Sequence, residues 1–417
     1  MKTAHAPEVK ADNALQLYPP RWVAKGSAGA LGCVVLPPPS QRVFPLAAPA
    51  IDRLDALLSN ALGGAVRIVR AERIAPWSVM RCALDAKSEA PRSVIVKWLR
   101  NDPNGFRIDP RQVATEQAAL EFLAELGFAQ VPRLIAADRT LGVLVMEDLA
   151  PRQPLADLIR EHGPDAMADA LAAFAETMGA LGAATAGRSA RYDAVRRRYG
   201  DADPAVGRER GLGPYWAETR PQLEALGRPL SAAAERDLAA VVDALLGPGP
   251  FLALSNGDSQ PNNFMTDGRE GRLIDFEFAA FRNALIGAVW IHVPGPAWIT
   301  VDTRRAPDLE AAYREALAVG VPEAEDDRLF GFAMAAAVLA EACDRIGRFP
   351  VLDARPAGDT GRLHRVAGLE AAAAAARRHG ALADFAGWME DTARWLRQRW
   401  PDADVDVAAY PAYAPRG

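Results

Sequence analysis

The sequence predicts an α+β chain of two lobes: a small N-terminal lobe built on an antiparallel sheet with one prominent helix, then a larger, mostly helical lobe. Three observations predict it. β-rich runs crowd between Val66 and Val145, and the long helical runs lie mostly beyond residue 150. A polar loop in the second half, Ser255 to Asn263, is framed by an apolar run, Phe251 to Leu254, and by two short strand-like runs around a glycine-containing turn. These boundaries give an extension over 1–50, a sheet lobe over 51–149 and a helical lobe over 150–417.

Taken in order, the extension ends near Leu36-Pro37-Pro38-Pro39, which favours extended backbone. Ile51 to Leu62 reads as a short helix leading into strands over Val66–Arg73 and Trp77–Asp85, joined by Ile74-Ala75-Pro76. Ser93 to Leu99 is a third strand, with Lys97 on the alternating face of Ile95 and Leu99. A lysine on an apolar face needs a partner or a path to water. Pro110 opens and Gly127 stops a helix, Arg111 to Leu126. Its apolar stripe of Val113, Leu120 and Leu123 carries Glu116 onto the packed face, where an ion pair with Lys97 would satisfy both charges. Glu121 and Glu125 read as solvated, as does the run Arg196-Arg197-Arg198. Leu141 to Val145 is a further strand running into Met146-Glu147-Asp148-Leu149. Helices follow over Asp165–Ala186, Ser231–Leu246, Leu309–Ala318, Asp326–Ile346, Gly361–His379 and Ala381–Arg399.

The chemistry concentrates in Ser255-Asn256-Gly257-Asp258-Ser259-Gln260-Pro261-Asn262-Asn263-Phe264 and, after the turn Asp267 to Gly271, in Leu273-Ile274-Asp275-Phe276-Glu277. Asp, Asn, Gly and Pro fill loops for local reasons, so either segment alone could be an ordinary turn. A loop Asp258, an Asn263 five positions on and an Asp275 in the strand expected over Arg272 to Phe276 together supply what phosphoryl transfer needs. One carboxylate orients an attacking hydroxyl, and two oxygen-bearing side chains hold Mg²⁺ on nucleotide phosphates.

These motifs resemble those of the aminoglycoside phosphotransferase and choline kinase group of small-molecule kinases, which share the two-lobed protein-kinase-like fold. Gly257-Asp258, Pro261-Asn262-Asn263 and Ile274-Asp275-Phe276-Glu277 fit the group's pattern, while Asn256 stands where His is usual. About ten residues past the second motif, where members often carry Asp, this chain reads Leu285-Ile286-Gly287. The resemblance implies that Asp258 is the catalytic base, that Asn263 and Asp275 are metal ligands, and that Lys97, fixed by Glu116, clamps phosphate. It makes Met146 to Leu149 the hinge, with Met146 lining the base pocket and the Glu147 carbonyl and Leu149 amide meeting the adenine edge. The glycine-free turn leaves Trp77 and Ser78 to offer groups to the phosphates, since Pro76 lacks an amide. The implied cofactors are ATP or GTP and Mg²⁺, and the implied partner is a small molecule bearing a hydroxyl, such as an aminoglycoside, sugar or amino alcohol. A nucleotide-binding pseudokinase acting as a regulatory or scaffold module is the alternative.

A formal charge of −5 argues against a nucleic-acid partner. Three scattered cysteines, Cys33, Cys82 and Cys343, suit a reducing cytoplasm, and neither a signal peptide nor a membrane span is expected. Trp290, His292 and Trp298 cluster soon after the second motif, as core or as a pocket wall. Arg377-Arg378-His379 suits a helix C-terminus.

Overall fold

The computed structural model describes residues 50–74, 78–85, 91–99, 109–203, 212, 214–346 and 349–416. The expected extension falls outside these residues apart from Ala50, and so do Ala75, Pro76 and Trp77 of the turn. The chain adopts the expected α+β class, with an antiparallel sheet and many helices, as two compact units. The first comprises residues up to Val113 with Leu134–Asp148, and the second comprises Ala114–Arg133 with Leu149–Gly417.

In the first unit, α1 (Ile51–Leu62) precedes β1 (Arg67–Arg73), β2 (Val79–Asp85) and β3 (Ser93–Trp98). Helix α2 (Pro110–Glu125) intervenes before β4 (Leu134–Asp138) and β5 (Val143–Glu147). The strands form one antiparallel sheet in the order β1-β2-β3-β5-β4. Leu54 and Leu58, four apart on α1, are fully buried with Val94, Val96, Trp98, Val143 and Val145. Each such leucine contributes about 1.5–3 kcal/mol by leaving water. Side-chain bonds then fix the register of helix on strand: Ser59 Oγ donates to the Val66 carbonyl at 3.1 Å, and Asp55 Oδ1 accepts from the Ile68 amide at 2.8 Å. The opposite face of β3 packs Ile95 and Leu99 with Leu144 and Met146, and Lys97 lies on that face as its alternation predicts. Strand β4 was not foreseen. Its sequence, Leu-Ile-Ala-Ala-Asp, is half-buried throughout and carries no period-2 contrast to read. The final strand runs two residues later than expected, so Met146 and Glu147 belong to β5 itself.

The second unit holds the rest of α2, then β6 (Gln153–Pro154), α3 (Leu155–His162), α4 (Ala168–Thr185), α5 (Ser189–Arg197), α6 (Pro214–Ala225) and α7 (Ala232–Leu246). Strands β7 (Leu252–Ser255), β8 (Phe264–Thr266), β9 (Gly271–Leu273) and β10 (Ala280–Asn283) follow. The chain closes with α8 (Ala306–Ala318), α9 (Asp327–Ile346), α10 (Phe349–Asp353), α11 (Thr360–Arg378) and α12 (Ala383–Arg399). Helices α4 and α8 approach closely because α4 carries glycine at the crossing: a Cβ on Gly179 would stand 2.3 Å from the Tyr313 carbonyl. Thr185, the last residue of α4, accepts the Leu254 amide at 3.0 Å and so fastens β7 to this helical scaffold. Among the described residues no helix is long and apolar enough to cross a membrane.

Two surface readings need correction. Arg196 is buried, donating to Thr115 Oγ1 at 3.2 Å and the Gly200 carbonyl at 3.3 Å. Glu121 is half-buried and accepts from Gln117 Nε2 and the Tyr199 hydroxyl. Glu125 is exposed, as expected, in surface ion pairs with Arg191 and Arg198. Local sequence shows a charge but not the distant partner that will cover it.

Candidate active site

Strand pairing in the second unit brings the two polar segments together. Ser255 of β7 pairs with Ala280 of β10, and Phe264 of β8 pairs with Leu273 of β9. Residues 256–263 and 274–279 therefore leave and re-enter the same two ladders as facing loops. The backbone ties them further, the Ile274 amide donating to the Asn263 carbonyl at 2.9 Å.

Asn256 is completely buried between the loops. Its Nδ2 donates to the Asp258 carbonyl at 3.2 Å and the Ile274 carbonyl at 3.4 Å, while its Oδ1 accepts from Ser259 Oγ at 3.3 Å. An amide offers both donor and acceptor, so one residue serves both loops. Gly257 allows the turn at φ 91°, with the Phe278 carbonyl 2.5 Å from where a Cβ would sit. Asn263 Nδ2 donates to the Asp258 carbonyl at 2.9 Å and to Asp258 Oδ2 at 3.1 Å. That pair fixes the orientation of the half-buried Asp258 carboxylate. Asn263 Oδ1 accepts from Asn262 Nδ2 at 2.9 Å, and an amide carbonyl has a second lone pair to offer a cation.

Asp275 departs from the expected strand. Strand β9 ends at Leu273, and Asp275 adopts φ 67°, a left-handed conformation that cannot extend a ladder but that Asp tolerates better than most residues. This turn swings its carboxylate toward two others: ligand oxygens of Glu116, Asp275 and Glu277 lie within 4.8 Å of one another. Glu116 Oε1 also accepts the Phe276 amide at 3.3 Å, tying α2 to the loop. Three carboxylates this close repel by several kcal/mol, since one like-charged pair at 4 Å costs about 4 kcal/mol at an effective dielectric of about 20. Hard oxygen donors so placed fit a divalent cation. Glu277 was named in the motif but given no role, because its convergence with Glu116 joins positions far apart in the chain.

In the first unit, Val79 faces Lys97 across β2 and β3, and the Trp98 amide donates to the Ser78 carbonyl at 3.0 Å, so Ser78 and Lys97 are neighbours. Ser78 Oγ is buried and has no hydrogen-bond partner among the described residues, a donor suited to a phosphate oxygen. Met146 and Glu147 pair with Ile95 and Val94. Leu149 opens the second unit and its carbonyl accepts the Arg152 amide at 3.0 Å.

The aromatic cluster is core. Trp290 packs on Phe174 with ring centroids 4.6 Å apart, and Trp298 lies against Tyr413 at 5.6 Å. His292 Nε2 lies 2.6 Å from Glu310 Oε2, which His379 Nε2 also approaches at 3.1 Å, and Arg378 Nη2 lies 2.7 Å from His292 Nδ1. Because guanidinium only donates, Nδ1 must be bare and Nε2 must carry the proton, leaving no lone pair there for a metal. Burial holds His292 below its usual pKa, consistent with this neutral form. Asn283 is a further support that the motif reading missed: its Oδ1 accepts the Leu285 amide at 3.0 Å and its Nδ2 donates to the Ala244 carbonyl at 3.2 Å.

No curated protein sequence matches the chain. Solved structures similar to it include the choline kinase LicA from Streptococcus pneumoniae, 12% identical with a TM-score of 0.43, covering 78% of this chain and 98% of that one. A choline/ethanolamine kinase family protein from Mesorhizobium loti is 15% identical, with a TM-score of 0.38 and coverage of 82% and 99%. The gentamicin complex of APH(2")-IIa is 11% identical, with a TM-score of 0.42 and coverage of 80% and 97%. The sequence profile described as the phosphotransferase enzyme family matches residues 89–324, more than half of the chain and the whole of both polar loops, and the chain belongs to that family.

Proposed function

We propose that this protein transfers the γ-phosphoryl group of ATP or GTP to a hydroxyl of a small molecule, with Mg²⁺. The observation that carries the reading is Asp258 held by Asn263 in one loop while Asp275 turns toward Glu116 and Glu277 in the facing loop. Asp258 orients the acceptor hydroxyl and takes its proton as the phosphoryl group moves. Asp275 and the Asn263 carbonyl, with Glu277 beside them, would hold Mg²⁺, which when bound neutralises charge on the phosphates. Lys97 and the Ser78 hydroxyl meet phosphate oxygens, and Met146, Glu147 and Leu149 serve the base. Glu116 fixes the Asp275 loop through the Phe276 amide. The burial of Cys82 and Cys343, far apart in the chain, suits a cytoplasmic setting. The acceptor class includes aminoglycoside-, sugar- and amino-alcohol-like molecules. A screen of hydroxylated metabolites and antibiotics for acceptor-dependent ADP or GDP release by the purified protein tests the proposal: release above background with any member supports it, and Mg-nucleotide binding without transfer to any would favour a pseudokinase.

A further inference from the structure

Helix α5 touches both sides of the carboxylate triad, and the proposed function has given it no part. Glu116, Asp275 and Glu277 bring ligand oxygens within 4.8 Å of one another from two places, Glu116 from α2 and the other two from the facing loop. On the α2 side, Thr115 Oγ1 accepts from Arg196 Nε at 3.2 Å, and Arg196 is buried while its neighbours Arg197 and Arg198 are exposed. Thr115 directly precedes Glu116. Phe122 lies seven residues on from Thr115, so the two share a face of α2, with Glu116 about 100° round the helix from Thr115. That face meets α5 again at Phe122, whose ring lies 5.5 Å from the buried Tyr192 ring, edge to face. On the loop side, the Tyr192 ring lies 5.5 Å from Phe281 of β10, and its hydroxyl donates at 3.4 Å to the carbonyl of Ala279, two residues past Glu277. Phe122 and Phe281 are themselves 6.1 Å apart, which closes a triangle of rings.

The segment after α2 is tied to the other limb of the loop: the Leu273 amide donates to the Gln130 carbonyl at 2.8 Å, and Arg272 Nη1 to the Val131 carbonyl at 3.2 Å. Near Glu116 the bond to the Phe276 amide is long, at 3.3 Å, and there α5 grips helix and loop together. Like charges this close push apart, and a shift of α2 that carried Glu116 away would relieve them. Helix α5, attached at once to Thr115, Phe122, Ala279 and Phe281, opposes that shift. The spacing so held matters to a cation. Mg²⁺ demands near-octahedral oxygen ligands at about 2.0–2.1 Å, whereas Ca²⁺ accepts looser sets at about 2.3–2.6 Å.

Resting on the phosphotransferase reading, we propose that Arg196 and Tyr192 are positioning residues: they set the spacing of Glu116 from Asp275 and Glu277 and so favour Mg²⁺ over Ca²⁺. The test uses the full chain and the non-hydrolysable nucleotide AMP-PNP, whose Kd is measured by calorimetry at saturating Mg²⁺, at saturating Ca²⁺ and in EDTA. The parent should bind most tightly with Mg²⁺. Arg196→Met and Tyr192→Leu should each raise the Kd with Mg²⁺ about tenfold, the lower end of what partners behind a metal ligand contribute, and should change the Kd with Ca²⁺ or in EDTA by less than about twofold. Tyr192→Phe, which keeps the triangle of rings, and Arg196→Lys, which keeps a donor, should retain most of the Mg²⁺ affinity. Thr115→Val removes the acceptor on α2 instead and should reproduce Arg196→Met, so the prediction does not depend on one variant folding. Loss confined to Mg²⁺, with no phosphoryl transfer by the parent to any acceptor, would uphold the spacing role and overturn the phosphotransferase reading. Equal loss with Mg²⁺, with Ca²⁺ and in EDTA, no loss in folded Thr115→Val and Tyr192→Leu, or a parent that binds AMP-PNP equally with Ca²⁺ and Mg²⁺ would overturn the spacing role even where phosphoryl transfer is intact. No AMP-PNP binding by the parent under any condition would overturn both.

Discussion

Replacing Asn256 with leucine tests how the two loops are held. The side chain is completely buried and makes contacts of 3.2, 3.4 and 3.3 Å to the Asp258 carbonyl, the Ile274 carbonyl and Ser259 Oγ. Leucine has similar bulk but satisfies none of these groups. The Asp258 carbonyl keeps two other donors, Asn263 Nδ2 and the Gln260 amide, each at 2.9 Å, so the Ile274 carbonyl and the Ser259 hydroxyl are the groups left without Asn256. An orphaned buried polar group costs about 1–3 kcal/mol, and these bonds are at the long end of the range, so the lower figure applies to each. The sum is about 2 kcal/mol, which lowers the melting temperature by roughly 4–8 °C in a unit of this size. Asn256→His, which keeps a donor and an acceptor, should retain phosphotransfer. Thermal melts followed by circular dichroism, with acceptor-dependent ADP release on the same samples, read both effects. An Asn256→Leu protein melting within about 1 °C of the parent at full turnover would refute the bridging role.

Further outcomes follow from other residues. Asp275→Gly should abolish Mg-ATP binding yet leave the fold at least as stable, by roughly 0.5–1 kcal/mol, because glycine accepts φ 67° without strain; a destabilised variant in a denaturant titration would contradict this. Gly257→Ala, whose Cβ would meet the Phe278 carbonyl at 2.5 Å, should reduce kcat at least tenfold with little change in KM for ATP, read in steady-state kinetics. Lys97→Ala should raise the ATP requirement, measured by direct Mg-ATP titration, without altering acceptor affinity. Burial lowers the folded-state pKa of His292 and His364. Burial would raise that of Glu310, but the His292 and His379 bonds outweigh it and hold it well below the carboxylate range. All three groups then bind fewer protons folded than unfolded, so stability should be flat above about pH 7 and fall progressively from about pH 6.5 downward. A melting temperature that rises on acidification through that window would contradict these assignments.

What could be read from the sequence was local. Ile51 to Leu62 showed its helix because Leu54 and Leu58 repeat at helical spacing, and Lys97 showed its face because a strand alternates. The loop over 256–263 was legible because Asp258 and Asn263 keep a fixed spacing that chemistry requires. The left-handed turn at Asp275 was hidden, since Ile274 and Phe276 on either side imitate a strand. The meeting of Glu116, Asp275 and Glu277 depends on α2 packing against a loop some 160 positions away, which periodicity cannot register. Residues Ala284 to Ile291 form a wholly buried 3-10 helix, apolar on every side and therefore without an amphipathic signal. His292 took its meaning only from Glu310 and Arg378 on other elements.

The central claim is that Asp258 acts on the acceptor while Asp275 holds the metal nucleotide, and one paired titration tests it most directly. Mg-ATP binding and acceptor-dependent ADP release should be measured on the parent protein, Asp258→Ala and Asp275→Ala. Asp258→Ala should bind Mg-ATP as the parent does and lose turnover by at least about 10²–10³-fold, whereas Asp275→Ala should lose both binding and turnover. Full turnover in either variant, or unchanged Mg-ATP binding in Asp275→Ala, would contradict the account.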